Sequence, residues 1–445
     1  MNNYFSKLDK DSFIKIYDKI TKEDLFGVGC ICDEYKKLKC VKFVPTSGAA
    51  TRMFSHLYEF SSSNVMTKEV EWFLSNLSSF AFYEDIKDKI KHLNDKEVIE
   101  YILKSGLGYG DLPKALIKMH RYYCFSANPI DEHIYEAKKY LNKDNAVIHF
   151  TISEDHERLF VDYINSIKDD LDNIKIEFSF QDKSTDSIAI DCNNNPVFLE
   201  NGEFLHRPSG HGALLSNLNS IDADMIFIKN IDNVCHRDYI DDTVNSKKRL
   251  ASVGIFLKAK IDNYIKDLLN DCYNLEEISY FINDVLKIEY KGILDKNKAL
   301  AILDRPLRVC GVVRNQGDVG GGPYLVDDGE FISPQIVEGV EIDLDKYKDI
   351  VSKSEYFNPV DLVCMVRRYN GEKYNLFDFV NHDRYMVVEK SYEGKMVRYL
   401  ERPGLWNGSM HYWNSVFVEV DITTFNPVKN VNDLLKEKHI GKFNK

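Results

Sequence analysis

Residues 42–54, Lys-Phe-Val-Pro-Thr-Ser-Gly-Ala-Ala-Thr-Arg-Met-Phe, constrain the fold more than any other part of the chain. The apolar, β-prone run 40–44 predicts a core strand, a loop of small residues follows, and 52–57 reads as the opening of a helix. Strand, tight loop and helix N-terminus in succession point to an α/β architecture. They also form an anion site, because free backbone N–H groups and the helix dipole converge on one spot. Small side chains let a phosphate approach the backbone, and Arg52 adds a permanently charged fork for its oxygens. The loop residues Ser47, Gly48, Ala49, Ala50 and Thr51 are therefore candidate nucleotide-binding residues, although an ordinary turn after a buried strand carries the same letters.

Further along, 146–152 and 174–181 read as strands with a helix over 154–171 between them, a βαβ unit that predicts a parallel sheet. His149 alternates with apolar neighbours there and reads as a core residue. A glycine turn at 210–212 leads through a helix to a buried strand, 224–231, with Asp232 at its C-terminal end. Ligands of open α/β sheets sit at that end, so Asp232 is placed either to hold a hard divalent cation such as magnesium or simply to cap a helix. Helical patterns fill 57–112 and 247–300, the latter opening on Lys247-Lys248-Arg249, either a solvated helix face or a rim that draws in phosphates. The alternating glycines Gly106, Gly108 and Gly110 lack the preceding strand that a dinucleotide fingerprint needs. Residues 1–38 carry helical periodicity in Phe5, Leu8, Phe13, Ile14, Tyr17 and Ile20. The predicted division is a helical extension at 1–38, a core at 39–345 with the two helical insertions, and a C-terminal part at 346–445.

The formal net charge of −12 on 445 residues, with no basic tract to offset it, argues against nucleic acid or an anionic membrane as partner. No apolar run is long enough to span a bilayer, and the N-terminus lacks the basic-then-apolar order of a signal peptide. Nine scattered cysteines outline neither a disulfide framework nor a zinc site, so a cytoplasmic protein with reduced thiols is expected. The oligomeric state stays open.

The loop at 47–53 resembles the Gly-Gly-x-Gly-Thr-Arg-Met/Leu signature of sugar-nucleotide pyrophosphorylases, with Gly48, Thr51 and Arg52 in place and Ser47 and Ala50 where that family has glycines. A methyl at position 50 narrows the room for phosphate. Leu112-Pro113-Lys114-Ala115-Leu116 resembles the family's Pro-Lys-x-Leu element, and Gly210-His211-Gly212 followed by Asn230-Ile231-Asp232-Asn233 resembles the second signature pair of UDP-sugar pyrophosphorylases. Residues 335–342, Phe357-Asn358-Pro359 and 425–435 continue in the family's order. The resemblance implies a mixed, mainly parallel Rossmann-like α/β sheet of the GT-A nucleotidyltransferase type. It also implies a reaction in which a sugar-1-phosphate and a UTP-like nucleoside triphosphate give a sugar nucleotide and pyrophosphate. Carried over residue by residue, Arg52 and Lys114 would hold the departing pyrophosphate and Lys429 a phosphate. Gly210, His211 and Gly212 would face the base; Asn230, Gly311, Glu338 and Asn358 the sugar; and Asp232 magnesium.

The chain also resembles an uncharacterised bacterial family of unknown function, through the loop stretch at 45–54 and Glu-Arg-Pro-Gly-Leu-Trp-Asn-Gly-Ser-Met at 401–410. The Trp406-Asn407-Gly408 segment has no pyrophosphorylase counterpart and reads as a substrate loop or an aromatic anchor. Three other functions suit the same letters: an inactive nucleotide- or sugar-nucleotide-binding protein, another phosphosugar-binding protein on the scaffold, or a glycosyltransferase of the same fold. The last needs an Asp-x-Asp after a strand, whereas Asp222-Ala223-Asp224 precedes its strand.

Overall fold

The computed structural model describes residues 13–27, 29–46, 48, 50–207, 210–317, 321–392 and 395–442. Two compact units are formed, the first from Met1–Lys39, Gln181–Ile228 and Arg249–Val420, the second from Cys40–Phe180, Lys229–Lys248 and Asp421–Lys445. The class is mixed α/β with a mainly parallel sheet, as the sequence predicts.

In the second unit the strands Cys40–Pro45, Val147–Ile152 and Lys175–Phe180 pair in parallel, with Val41 opposite Val147 and Val147 opposite Lys175. The helix Glu157–Ser166 makes the connection between the last two, as the βαβ pattern requires. His149 is buried in this sheet and bonded to Ser179 Oγ (2.7 Å). Helices Ser55–Ser63, Lys68–Ser75 and Asp95–Glu100 occupy the predicted helical insertion and close over Phe54, Leu57, Phe73, Phe80, Ile99 and Leu103. Gly106, Gly108 and Gly110 end that segment just past the π-turn Tyr101–Ser105, with no strand before them.

One lysine of the first parallel strand points inward. Lys42 Nζ donates to Glu136 Oε1 (3.2 Å) and to the His133 carbonyl (2.9 Å), while Lys229 Nζ donates to Glu136 Oε2 (2.7 Å). The helix Pro129–Tyr140, started by Pro129 and an Asn128/Asp131 capping box, supplies the carboxylate. Burial lowers the Lys42 ammonium to about 7, against the pull of Glu136. Burial works to raise the Glu136 carboxyl, but the charges of Lys229 and Lys42 outweigh it and hold the group below the carboxylate range. Lys247 is buried, its charge acting on both groups, so it is neither a solvated face nor a rim for phosphates.

In the first unit the strand Leu307–Arg314 lies antiparallel to Asp361–Met365 and Tyr356–Phe357 and parallel to Asn414–Glu419; Met225–Lys229 borders Asp361–Met365. A second sheet is antiparallel, in the order Ile16–Lys19, Gly322–Asp327, Phe331–Val337, Glu289–Tyr290. Its first strand corrects the helical expectation for 13–38. Ile14 and Ile16 are buried while Phe13, Lys15 and Tyr17 are exposed, a period of two that suits pairing with Gly322–Asp327, and the described residues of 20–38 hold only 3-10 turns. Residues 1–12, with Phe5 and Leu8, lie outside the described residues. Helices Ile240–Leu269, Leu275–Tyr280 and Lys296–Leu303 account for the predicted helical stretch 247–300. Among the described residues no helix is long and apolar enough to cross a membrane.

Candidate functional site

The second unit gathers four stretches that are far apart in sequence. The loop after the first strand turns as a 3-10 segment, Ala50–Arg52, before the helix Ser55–Ser63. The Gly48 carbonyl accepts from Lys114 N (3.4 Å), and the Leu112 carbonyl accepts from Ala50 N (3.3 Å), so residues 112–114 lie along the loop. Lys114 then sends its ammonium to Asp232 Oδ2 (2.9 Å) and to the Val428 carbonyl (2.8 Å). Asn233, directly after Asp232, accepts from Asn426 N through Oδ1 (2.8 Å), and Val431 N donates to the Met53 carbonyl (2.9 Å). Lys429 N and Asn430 N both donate to Asp433 Oδ2 (2.7 and 2.8 Å), which shapes the turn that presents Lys429.

Arg52, Lys114, Lys429 and Asp232 are thus brought into one set of bonded loops. Arg52 and Lys429 have exposed side chains, and Arg52 makes no hydrogen bond or ion pair among the described residues. Asn230 is half-buried at the end of the strand Met225–Lys229, its carbonyl accepting from Asn233 N (3.2 Å). A Cβ built at Gly48 meets nothing within 4 Å, so the loop is open at that point, and Thr51 is exposed beside it. Ala50 departs from expectation: its methyl packs in the core with Met53 and Phe54 and its N–H is spent on Leu112, so it neither crowds a phosphate nor offers it a donor. Ser47 and Ala49 lie outside the described residues.

The sequence places Asp232 either to hold magnesium or to cap a helix. Among the described residues no group of three or more His, Cys, Asp and Glu side chains converges, and Asp232 Oδ2 already carries the Lys114 ammonium. As a seat for a resident divalent cation these residues do not fit.

In the first unit the 3-10 turn Gly210–Leu214 carries His211, whose ring stacks on Trp406 at 4.3 Å between centroids. Leu405 N–H donates to His211 Nδ1 (3.0 Å), which assigns the ring proton to Nε2, and Nε2 reaches Glu338 Oε1 at 2.8 Å. Burial works to raise the Glu338 carboxyl, but the His211 hydrogen bond, Arg384 and the Trp406 side chain together hold it below its usual value. Glu341 next along receives Arg384 (2.9 Å) and Asn407 Nδ2 (3.1 Å), and Arg308 donates to the Trp406 carbonyl. Close packing explains the glycines here: a Cβ at Gly212 would stand 2.7 Å from the Arg402 and Pro403 carbonyls, and one at Gly404 would stand 2.1 Å from the His211 ring. The Trp406 segment is therefore an anchor laid across the glycine turn. Its partnership with His211 and Glu338 was missed in sequence, since only contact between distant segments defines it.

Asn358 and Gly311 are brought together, but with each other. Asn358 is 2% exposed, its Nδ2 donates to the Gly311 carbonyl (2.8 Å) and its Oδ1 accepts from Val360 N (3.1 Å). Asn358 is turned inward and buried, and Gly311, whose carbonyl it holds, is buried with it, which corrects the expectation that both residues face a sugar. Asp222 and Asp224 are both ion-paired with Arg367, so they offer no open Asp-x-Asp site.

The model of the domain of unknown function DUF4301 matches residues 19–440. The chain belongs to that family. No curated protein matches the DUF4301 chain. Among solved structures it is similar to a point mutant of UDP-glucose pyrophosphorylase from Leishmania major, with 13% identity and a TM-score of 0.50 over 96% of this chain and 71% of that one. It is also similar to UDP-glucose phosphorylase from Trypanosoma brucei (14% identity, 97% and 72% covered, TM-score 0.45). A third is the inositol-1-phosphate CTP transferase from T. maritima (9% identity, 86% of each chain, TM-score 0.33). The likeness to the Leishmania enzyme is one of fold.

Proposed function

We propose that this DUF4301 protein is a nucleotidyltransferase with a GT-A-type fold that joins a sugar-1-phosphate to a UTP-like nucleoside triphosphate and releases pyrophosphate. The observation that carries it is the convergence of Arg52, Lys114 and Lys429, three cations from separate stretches, on bonded loops beside the open backbone at Gly48. In such a transfer an oxygen of the sugar phosphate attacks the α-phosphorus, the bond to the β-phosphate oxygen breaks, and pyrophosphate leaves in line. The chemistry asks for positioning and charge neutralisation more than for acid–base groups. Arg52 and Lys114 take the departing pyrophosphate and Lys429 the α- or sugar phosphate, with Thr51 and the Gly48 backbone lining the approach.

The test is pyrophosphate release across four nucleoside triphosphates and common sugar-1-phosphates, with Lys429→Ala as control. Release for one pairing, lost in the variant, is expected. A nucleotide-binding protein without turnover is the second reading, favoured by the Ala50 N–H being tied to Leu112 where a phosphate would need it. It predicts thermal stabilisation by a nucleotide and no release for any pairing.

A further inference from the structure

We propose that Lys114 is the resident cation of Asp232 and that it anchors an incoming phosphate without a divalent metal, an inference that rests on the nucleotidyl-transfer reading above. A hard cation at this place would draw on two protein oxygens, the Asp232 carboxylate and the Val428 carbonyl. The one ammonium already occupies Oδ2 of that carboxylate and the carbonyl oxygen, at 2.9 and 2.8 Å. The pair is neither solvated nor sealed, with 17% of the Lys114 and 23% of the Asp232 side chain exposed. An ammonium has three N–H donors, and these two partners use two of them. The third meets no partner among the described residues, so Lys114 can bridge carboxylate and phosphate without leaving either oxygen. That is the bridging role a divalent ion otherwise plays between a carboxylate and a phosphate.

The backbone holds this arrangement before any ligand arrives. Lys114 N is bonded to the Gly48 carbonyl, and the Ile231 carbonyl accepts from His133 Nε2 (3.2 Å), which fixes the peptide leading into Asp232. Pro113 precedes Lys114 in extended conformation and the 3-10 turn Lys114–Leu116 follows, so the ammonium is aimed by a short, constrained segment. Among the described residues no group of three or more His, Cys, Asp and Glu side chains forms a metal site that includes Asp232.

Titration calorimetry with UTP, and with inorganic pyrophosphate as a base-free probe, tests the proposal in EDTA and in magnesium. Manganese binding to the ligand-free protein is followed in parallel by electron paramagnetic resonance. Both probes are expected to bind wild type in EDTA within about threefold of their affinity in magnesium, and Lys114→Met to weaken binding in EDTA by about 10- to 100-fold, the loss of one charge-assisted contact. Ligand-free wild type is expected to take up no manganese at Asp232. Loss of binding in EDTA would overturn the proposal, as would one-to-one manganese uptake by wild type that Asp232→Asn abolishes; neither result depends on the Lys114 variant folding. Binding in EDTA with no pyrophosphate released for any substrate pair would sustain the proposal and defeat the transferase reading. Failure of both probes to bind in either condition would defeat both.

Discussion

Two carboxylate–lysine sites lie three residues apart along the second unit, and they behave as opposites. At Lys229 the partner is Glu136, which also holds Lys42, and all three side chains are at most 2% exposed. At Asp232 the partner is Lys114, partly open to solvent and bonded to a loop carbonyl. Depth decides what each can do. In the dry interior the loss of one partner strands a charge, so the Glu136 site works as architecture. Near the surface the desolvation cost is small, and an ammonium can add a new partner at little expense in stability.

The largest effect separating the two sites is expected from Glu136→Gln. It leaves Lys42 and Lys229 without their carboxylate and should lower unfolding stability by about 3–5 kcal/mol in urea titrations. A loss below about 1 kcal/mol would show that the interior site is not the structural one. Next in size, Arg52→Ala or Lys429→Ala should reduce pyrophosphate release by about 10²–10³-fold, or about 3–4 kcal/mol of transition-state stabilisation. Their melting temperatures should hardly move, since both side chains are exposed. Equal losses of rate and stability would erase the distinction between the sites.

A smaller effect is carried by pH. The folded-state value of Lys42 lies near 7 because of burial, below the unfolded lysine value of about 10.4. Between those two values the unfolded chain binds more protons than the folded one. Stability contributed by this group therefore rises with pH across that window, by at most about 1.4 kcal/mol per unit, and the full penalty is present below pH 7. Lys42→Met should flatten the rise between pH 7 and 9.5 in denaturant melts, and an unchanged slope would place the titration elsewhere. The smallest effect is expected from Lys114→Met, about 1 kcal/mol or less of stability, read in the same melts.

The parallel core was legible because its strands are short β-prone runs bounded by turn residues, two of them joined by an amphipathic helix, all of it local information. The position of Asp232 just past an apolar strand was legible in the same way, whereas Lys114 and Lys429 were singled out by resemblance alone and their roles belong to the proposal. What failed depended on partners distant in sequence, 47 residues away for Asn358 and 94 for Lys42. Phe13, Ile14, Tyr17 and Ile20 satisfy a helical count, and only pairing with Gly322–Asp327 reveals Ile14 and Ile16 as the buried face of a strand. Asn358 reads as a ligand-facing amide until Gly311 is seen to accept its N–H. Lys42 sits in an apolar strand with no local sign of Glu136, and Lys247 reads as one of a basic triplet although its side chain is buried. The glycines at 212 and 404 suggest open loops, whereas they are small because each faces the other's segment.

The central claim is that the Arg52, Lys114 and Lys429 loops carry nucleotidyl transfer, and isotope exchange in the reverse direction tests it most directly. Wild-type protein would be incubated with radiolabelled pyrophosphate and a panel of sugar nucleotides, UDP-glucose among them, beside Lys429→Ala. Label entering a nucleoside triphosphate with one sugar nucleotide, and failing to enter in the variant, is the predicted result. No exchange with any member of the panel, from folded protein that binds pyrophosphate, would contradict the account.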